Sequence, residues 1–93
     1  MQNSRKYKIT LNNKAALKGW KTLEENSPEA LAKCRHFLVY TPLDIFSTGG
    51  KVKRLKGGWK GLMQYDVTDS ARVHYWVDRR NHVVYVEYAG PHP

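Results

Sequence analysis

Arg72, His74 and Trp76 occupy alternate positions in the run Ala71-Arg-Val-His-Tyr-Trp-Val77. On a β-strand, residues two apart share a face, so a fixed cation, a titratable imidazole and an aromatic plate fall within about 13 Å of one another. That grouping suits RNA. A guanidinium at the start of a strand can clamp a phosphate through two parallel N–H groups. Taken singly, His74 also reads as an ordinary cross-strand surface residue.

A second feature lies just upstream. Lys51-Val-Lys-Arg-Leu-Lys-Gly-Gly-Trp-Lys60 carries Lys51, Lys53, Arg54, Lys56 and Lys60 and no acidic residue. Each cation that neutralises a phosphate adds salt-dependent affinity, and Trp59 or Trp76 can stack an unpaired base for about 1–3 kcal/mol. A solvated loop accounts for the same charges, and a core or hairpin plug for Trp59. At the end of the chain, Tyr88-Ala-Gly-Pro-His92-Pro93 is expected to leave the last strand abruptly, Gly90 and Pro91 turning it. An exposed His92 there would serve as general acid or base; a frayed tail is the other reading.

Other chemistries lack their residues. The 4 histidines and the single Cys34 have no metal-ligand spacing, so neither a metal nor any other cofactor is expected. Gly49-Gly50 and Gly57-Gly58 lack the surroundings of a nucleotide-binding loop. Cys34 falls on an apolar helical stripe and reads as a packed thiol. No serine and histidine assemble into a hydrolase triad.

The elements that must position these residues can be read in chain order. Tyr7, Ile9 and Leu11 alternate with Lys8 and Thr10 as a half-buried strand. Asn12 or Asn13 caps a helix through Glu25 whose apolar positions are Ala16, Trp20 and Leu23. Gly19 weakens that helix by about 1 kcal/mol relative to alanine. Ser27-Pro28-Glu29 restarts the chain as a second helix, with Ser27 as N-cap, running to about Tyr40. It would bury Ala30 or Leu31, Cys34, Phe37 and Leu38. Three short strands follow, Leu62 to Thr68, Ala71 to Val77 and Val83 to Ala89, separated by Asp69-Ser70 and Asp78-Arg-Arg-Asn81.

Period two assigns Met63, Tyr65 and Val67, Val73, Tyr75 and Val77, and Val84, Val86 and Tyr88 to a helix-covered face. Gln64, Asp66, Arg72, His74, Trp76, Tyr85 and Glu87 then face outward. The fold class expected is α+β: an N-terminal strand, two antiparallel helices and a three-stranded antiparallel meander forming one sheet with the helices on one face. The 93 residues, 41% apolar, suit a single domain. A formal charge of +8 favours a polyanionic partner. A lone cysteine, a polar N-terminus and no apolar run of about 18 residues lead to the expectation of a soluble cytoplasmic protein, with no membrane partner.

This order of elements resembles the RelE/ParE superfamily of bacterial toxin-antitoxin toxins across essentially the whole chain. The resemblance is carried by Ala16-Leu-Lys-Gly-Trp20, Val52-Lys-Arg-Leu-Lys-Gly57, Ala71-Arg-Val-His-Tyr-Trp-Val-Asp78 and Val83 to Gly90. It implies a RelE-like, ribosome-dependent mRNA endonuclease, neutralised by a cognate antitoxin, in which the RNA 2′-hydroxyl attacks the adjacent phosphate without a metal. Arg72 matches the family's middle-strand arginine and His92 its residue after the last strand. Lys53, Arg54, Lys56 and Lys60 would hold ribosomal RNA or message. Met63 and Tyr65 stand where the best-known RelE proteins carry lysines, which brings His74 or Tyr65 into the implied catalytic set. A ParE-like, non-enzymatic gyrase inhibitor and a small RNA-binding module remain alternatives on the same fold.

Overall fold

The computed structural model describes residues 6–55 and 61–91. In chain order the elements are β1 (Lys8–Leu11), α1 (Lys14–Asn26), α2 (Pro28–Tyr40), β2 (Val52–Arg54), β3 (Met63–Thr68), β4 (Ala71–Asp78) and β5 (Val83–Pro91). They form one five-stranded sheet in the order β1-β5-β4-β3-β2, every pairing antiparallel except β1 with β5. The α+β class is the one expected. The strand count is not, because Val52, Lys53 and Arg54 pair with Tyr65, Gln64 and Met63 as an edge strand. Its lysine and arginine hid it from pattern reading, and charged side chains are what a protected sheet edge carries.

Asn13 caps α1, its Oδ1 accepting from the Ala16 amide at 2.7 Å. Ser27 alone joins the helices. It ends α1 with its amide bonded to Leu23 O, but contrary to expectation its side chain makes no capping hydrogen bond to α2. Pro28 and Glu29 start α2 by pre-set φ and by charge.

Both helices cover one sheet face. Ala16, Trp20 and Leu23 of α1 and Leu31, Cys34, Phe37 and Leu38 of α2 meet Met63, Tyr65, Val67, Val73, Tyr75, Val84 and Val86 in one core. Tyr75 is completely buried, and its hydroxyl donates to Pro42 O at 2.8 Å. Burial pushes its phenol well above the usual range. Tyr75→Phe is expected to cost about 1–2 kcal/mol in urea denaturation, because it orphans a buried carbonyl. An unchanged midpoint would show that this bond contributes nothing.

One face assignment is corrected. His74 pairs with Tyr88 but Tyr75 pairs with Val86, so Glu87 is an extra residue, a β-bulge. The bulge inverts the alternation beyond it: Tyr88 joins His74 on the open face, and Ala89 takes the buried position. The expected turn at Gly90-Pro91 is also absent. The strand continues, with Gly90 opposite Arg72 and Pro91 opposite Ala71.

Candidate functional site: the open face of the sheet

The sheet face away from the helices gathers a connected polar cluster. Lys53 of β2 is in register with Gln64 of β3, Gln64 with His74 of β4, and His74 with Tyr88 of β5. Asp66 pairs with Arg72 in the neighbouring row. Gln64 Nε2 donates to Asp66 Oδ1 at 2.9 Å, and His74 Nε2 lies 3.1 Å from Gln64 Oε1. The imidazole and the Tyr88 ring are 5.3 Å apart, and the Tyr88 hydroxyl turns back to donate to Pro91 O.

Arg72 closes the cluster. Its side chain is only 13% exposed, and its Nε lies 3.0 Å from Asp66 Oδ1. That contact is an ion pair rather than a hydrogen bond, since Nε has no hydrogen-bond partner. Nη1 donates to the carbonyls of Thr68, Asp69 and Ala71 at 3.1, 3.2 and 3.3 Å. The guanidinium thus braces the β3–β4 turn. It also lines a cleft of about 330 Å³ whose other walls include Gly49, Gly50, Lys51 and Thr68.

The remaining expected site residues divide. Trp76 stacks on Tyr85, ring centres 4.5 Å apart, and donates Nε1 to Glu87 Oε2 at 2.8 Å. The same oxygen accepts from Asn12 at 2.8 Å, which ties the aromatic pair to the end of β1. Lys53 lies on the open face, whereas Arg54, opposite Met63, lies on the helix side. Lys51 is exposed at the cleft. Tyr65 lies on the helix side, packed 5.3 Å from Phe37 and 5% exposed, so the structure does not bring it to Arg72 and His74. Desolvation, and secondarily Cys34, push its phenol pKa up. Lys56, Trp59, Lys60 and His92 fall outside the described residues.

Gln64, Asp66 and Tyr88 are members of the cluster that sequence reasoning did not single out. Alternation already placed Gln64 and Asp66 on this face, but only the register of β3 against β4 links them to His74 and Arg72. Among the described residues, no group of three His, Cys, Asp or Glu side chains gathers where it could hold a metal ion. A larger groove, about 660 Å³, runs between β1 and α2 with Lys6, Lys8, Arg35 and His36 in its walls, away from this cluster. Cys34 is buried, and desolvation raises its thiol far above the ordinary range. Maleimide is therefore expected to label Cys34 only under denaturing conditions; prompt labelling of the folded protein would contradict its burial.

No protein-family model matches the chain, and neither does any curated protein. Solved structures do. A metal-bound toxin from Helicobacter pylori superposes with a TM-score of 0.70 at 20% identity, over 92% of this chain and 94% of that one. The toxin-antitoxin complex DinJ-YafQ of E. coli gives 0.69 at 18% identity, over 97% and 94%. The archaeal RelE-RelB complex of Pyrococcus horikoshii gives 0.67 at 21%, over 91% and 93%. At these identities the likeness is one of fold: the chain has the fold of RelE- and YafQ-type toxins. No helix among the described residues is long and apolar enough to cross a membrane.

Proposed function

We propose that this chain is the toxin of a toxin-antitoxin pair, a cytoplasmic endonuclease that cuts mRNA on the ribosome. The observation that carries the reading is the open sheet face, where Arg72, His74 and Lys53 share one surface and Arg72 lines a cleft, on the fold of the toxins in the DinJ-YafQ and RelE-RelB complexes. The reaction is attack of an RNA 2′-hydroxyl on the adjacent phosphate, releasing a 5′-hydroxyl end. Arg72 stabilises the charge on the phosphorane-like oxygens. To reach them it exchanges the turn carbonyls for an anionic oxygen, the stronger acceptor. His74 and His92 are the proton carriers. Lys51, Lys53, Arg54, Lys56 and Lys60 grip RNA, and Trp76 with its Tyr85 partner offers an aromatic plate. Tyr65 is left out of this set because of its burial. A cognate antitoxin neutralises the protein, as the YafQ and RelE neighbours are held by DinJ and RelB.

Translating ribosomes incubated with purified protein test the reading, with cleavage mapped by primer extension. Message cut by wild type but spared by Arg72→Ala is expected; message left intact by both would overturn it. One observation favours a second reading, a ParE-like binder of gyrase: Arg72 is already paired with Asp66 and hydrogen-bonded to the turn through Nη1. Gyrase supercoiling inhibited while message stays whole would select it.

A further inference from the structure

Among the described residues Gln64 is the buried polar side chain of the sheet, only 8% exposed, and it faces a different polar partner at each end. Burial of an amide is costly unless both ends are satisfied, so its orientation is fixed by what it meets. Asp66 forms an ion pair with the Arg72 guanidinium at 3.0 Å, and a carboxylate can only accept. The end of Gln64 that lies 2.9 Å from Asp66 Oδ1 is therefore its NH2 group. Its carbonyl oxygen is then the end that lies 3.1 Å from His74 Nε2. A carbonyl oxygen can only accept. The ring nitrogen facing it must carry a hydrogen.

We propose that Gln64 is a positioning residue for His74: relaying from Asp66, it fixes the neutral imidazole as its Nε2–H tautomer and puts the ring's lone pair on Nδ1. Asp66 pairs with Arg72 and orients the Gln64 amide, and the amide selects the tautomer. The guanidinium and the imidazole are thereby linked without touching. If this face cleaves RNA as proposed above, the tautomer decides which ring nitrogen is basic, and a ring in the other tautomer would carry a donor at Nδ1 instead. The mechanistic consequence rests on that reading; the tautomer itself does not.

Long-range ¹H–¹⁵N correlation spectra of the labelled full chain, recorded above the pH at which the ring titrates, read which nitrogen holds the proton. Wild type is expected to show His74 in a single Nε2–H form. Gln64→Met, which removes the acceptor at similar volume, is expected to give a mixture of tautomers. Asp66→Asn tests the relay at a more exposed position. Its amide can donate to Gln64, letting the glutamine reverse, so an Nδ1–H population is expected to grow. Amide dispersion in the same spectra shows that each variant is folded. A wild-type proton on Nδ1, or a His74 signal unchanged in both folded variants, would overturn the inference. Should Gln64→Met not fold, an unchanged signal in Asp66→Asn is sufficient to overturn it. Intact message with a single Nε2–H form in wild type would sink the nuclease reading and leave this one standing. Cleaved message with an unchanged tautomer in the variants would sink this one alone.

Discussion

Gly19→Ala is expected to destabilise the protein by about 3 kcal/mol or more, the reverse of what helix propensity dictates. Glycine inside a helix costs about 1 kcal/mol relative to alanine, so sequence alone makes the substitution stabilising. The structure reverses the sign. A Cβ built on Gly19 would lie 1.6 Å from the Ala89 carbonyl oxygen and 2.7 Å from its carbon. Both are backbone atoms of β5, with no flexible side chain that could swing away. Accommodating the methyl means lifting α1 off the sheet, and Ala16, Trp20 and Leu23 reach the core from that helix. Urea denaturation of wild type and variant decides it. A variant as stable as wild type would show that α1 does not sit this close to β5.

Arg72→Ala is expected to lower message cleavage by about 100-fold or more, the scale of losing a preorganised donor to a developing oxyanion. The same change also disturbs the fold. Asp66 would lose its cationic partner, and the carbonyls of Thr68, Asp69 and Ala71 would lose their Arg72 donor, at a cost of about 1–3 kcal/mol. Initial rates must therefore be compared where denaturation curves show both proteins folded. Arg72→Lys separates the two contributions: it keeps a charge near the phosphate but loses the planar fork. An intermediate rate is expected. Cleavage unchanged by Arg72→Ala, with the protein folded, would remove the arginine from the chemistry and move weight to the gyrase-binding reading.

Much of the architecture was legible because the apolar residues keep strict periods. Ala16, Trp20 and Leu23 mark α1, and Leu31, Cys34, Phe37 and Leu38 mark α2. Met63, Tyr65 and Val67 lie on the buried side of β3 as alternation required. The failures are equally specific. Val52 is the one apolar residue of a three-residue strand, too little for a period, so in sequence β2 looks only like a charged arm. Period two along β5 puts Tyr88 on the covered face, the bulge at Glu87 defeats it, and no sequence pattern announces the bulge. At the site, Arg72 and His74 were visible from residue type, and the structure sets them on the open face. Their linkage through Gln64 and Asp66 was not visible, since it depends on cross-strand register and side-chain direction. The burial of Tyr65 follows from the alternation itself, and only the family resemblance brings it into the candidate set against that pattern.

The parallel pairing of β1 with β5 has a consequence for how the chain comes into being. β1 and β2 are the sheet's two edges, and β5 is the strand that joins β1 to the meander and lies beneath α1. The first strand made thus waits for the last. While β5 is still in the ribosomal tunnel, β1 has no partner strand and α1 has nothing to pack its glycine against, so loop closure across nearly the whole sequence is the late step of assembly. The Arg72 and His74 face is then held in register on both sides only once β5 has emerged. A protein whose proposed target is the translating ribosome would therefore stay unassembled on that same machine until β5 has left its tunnel.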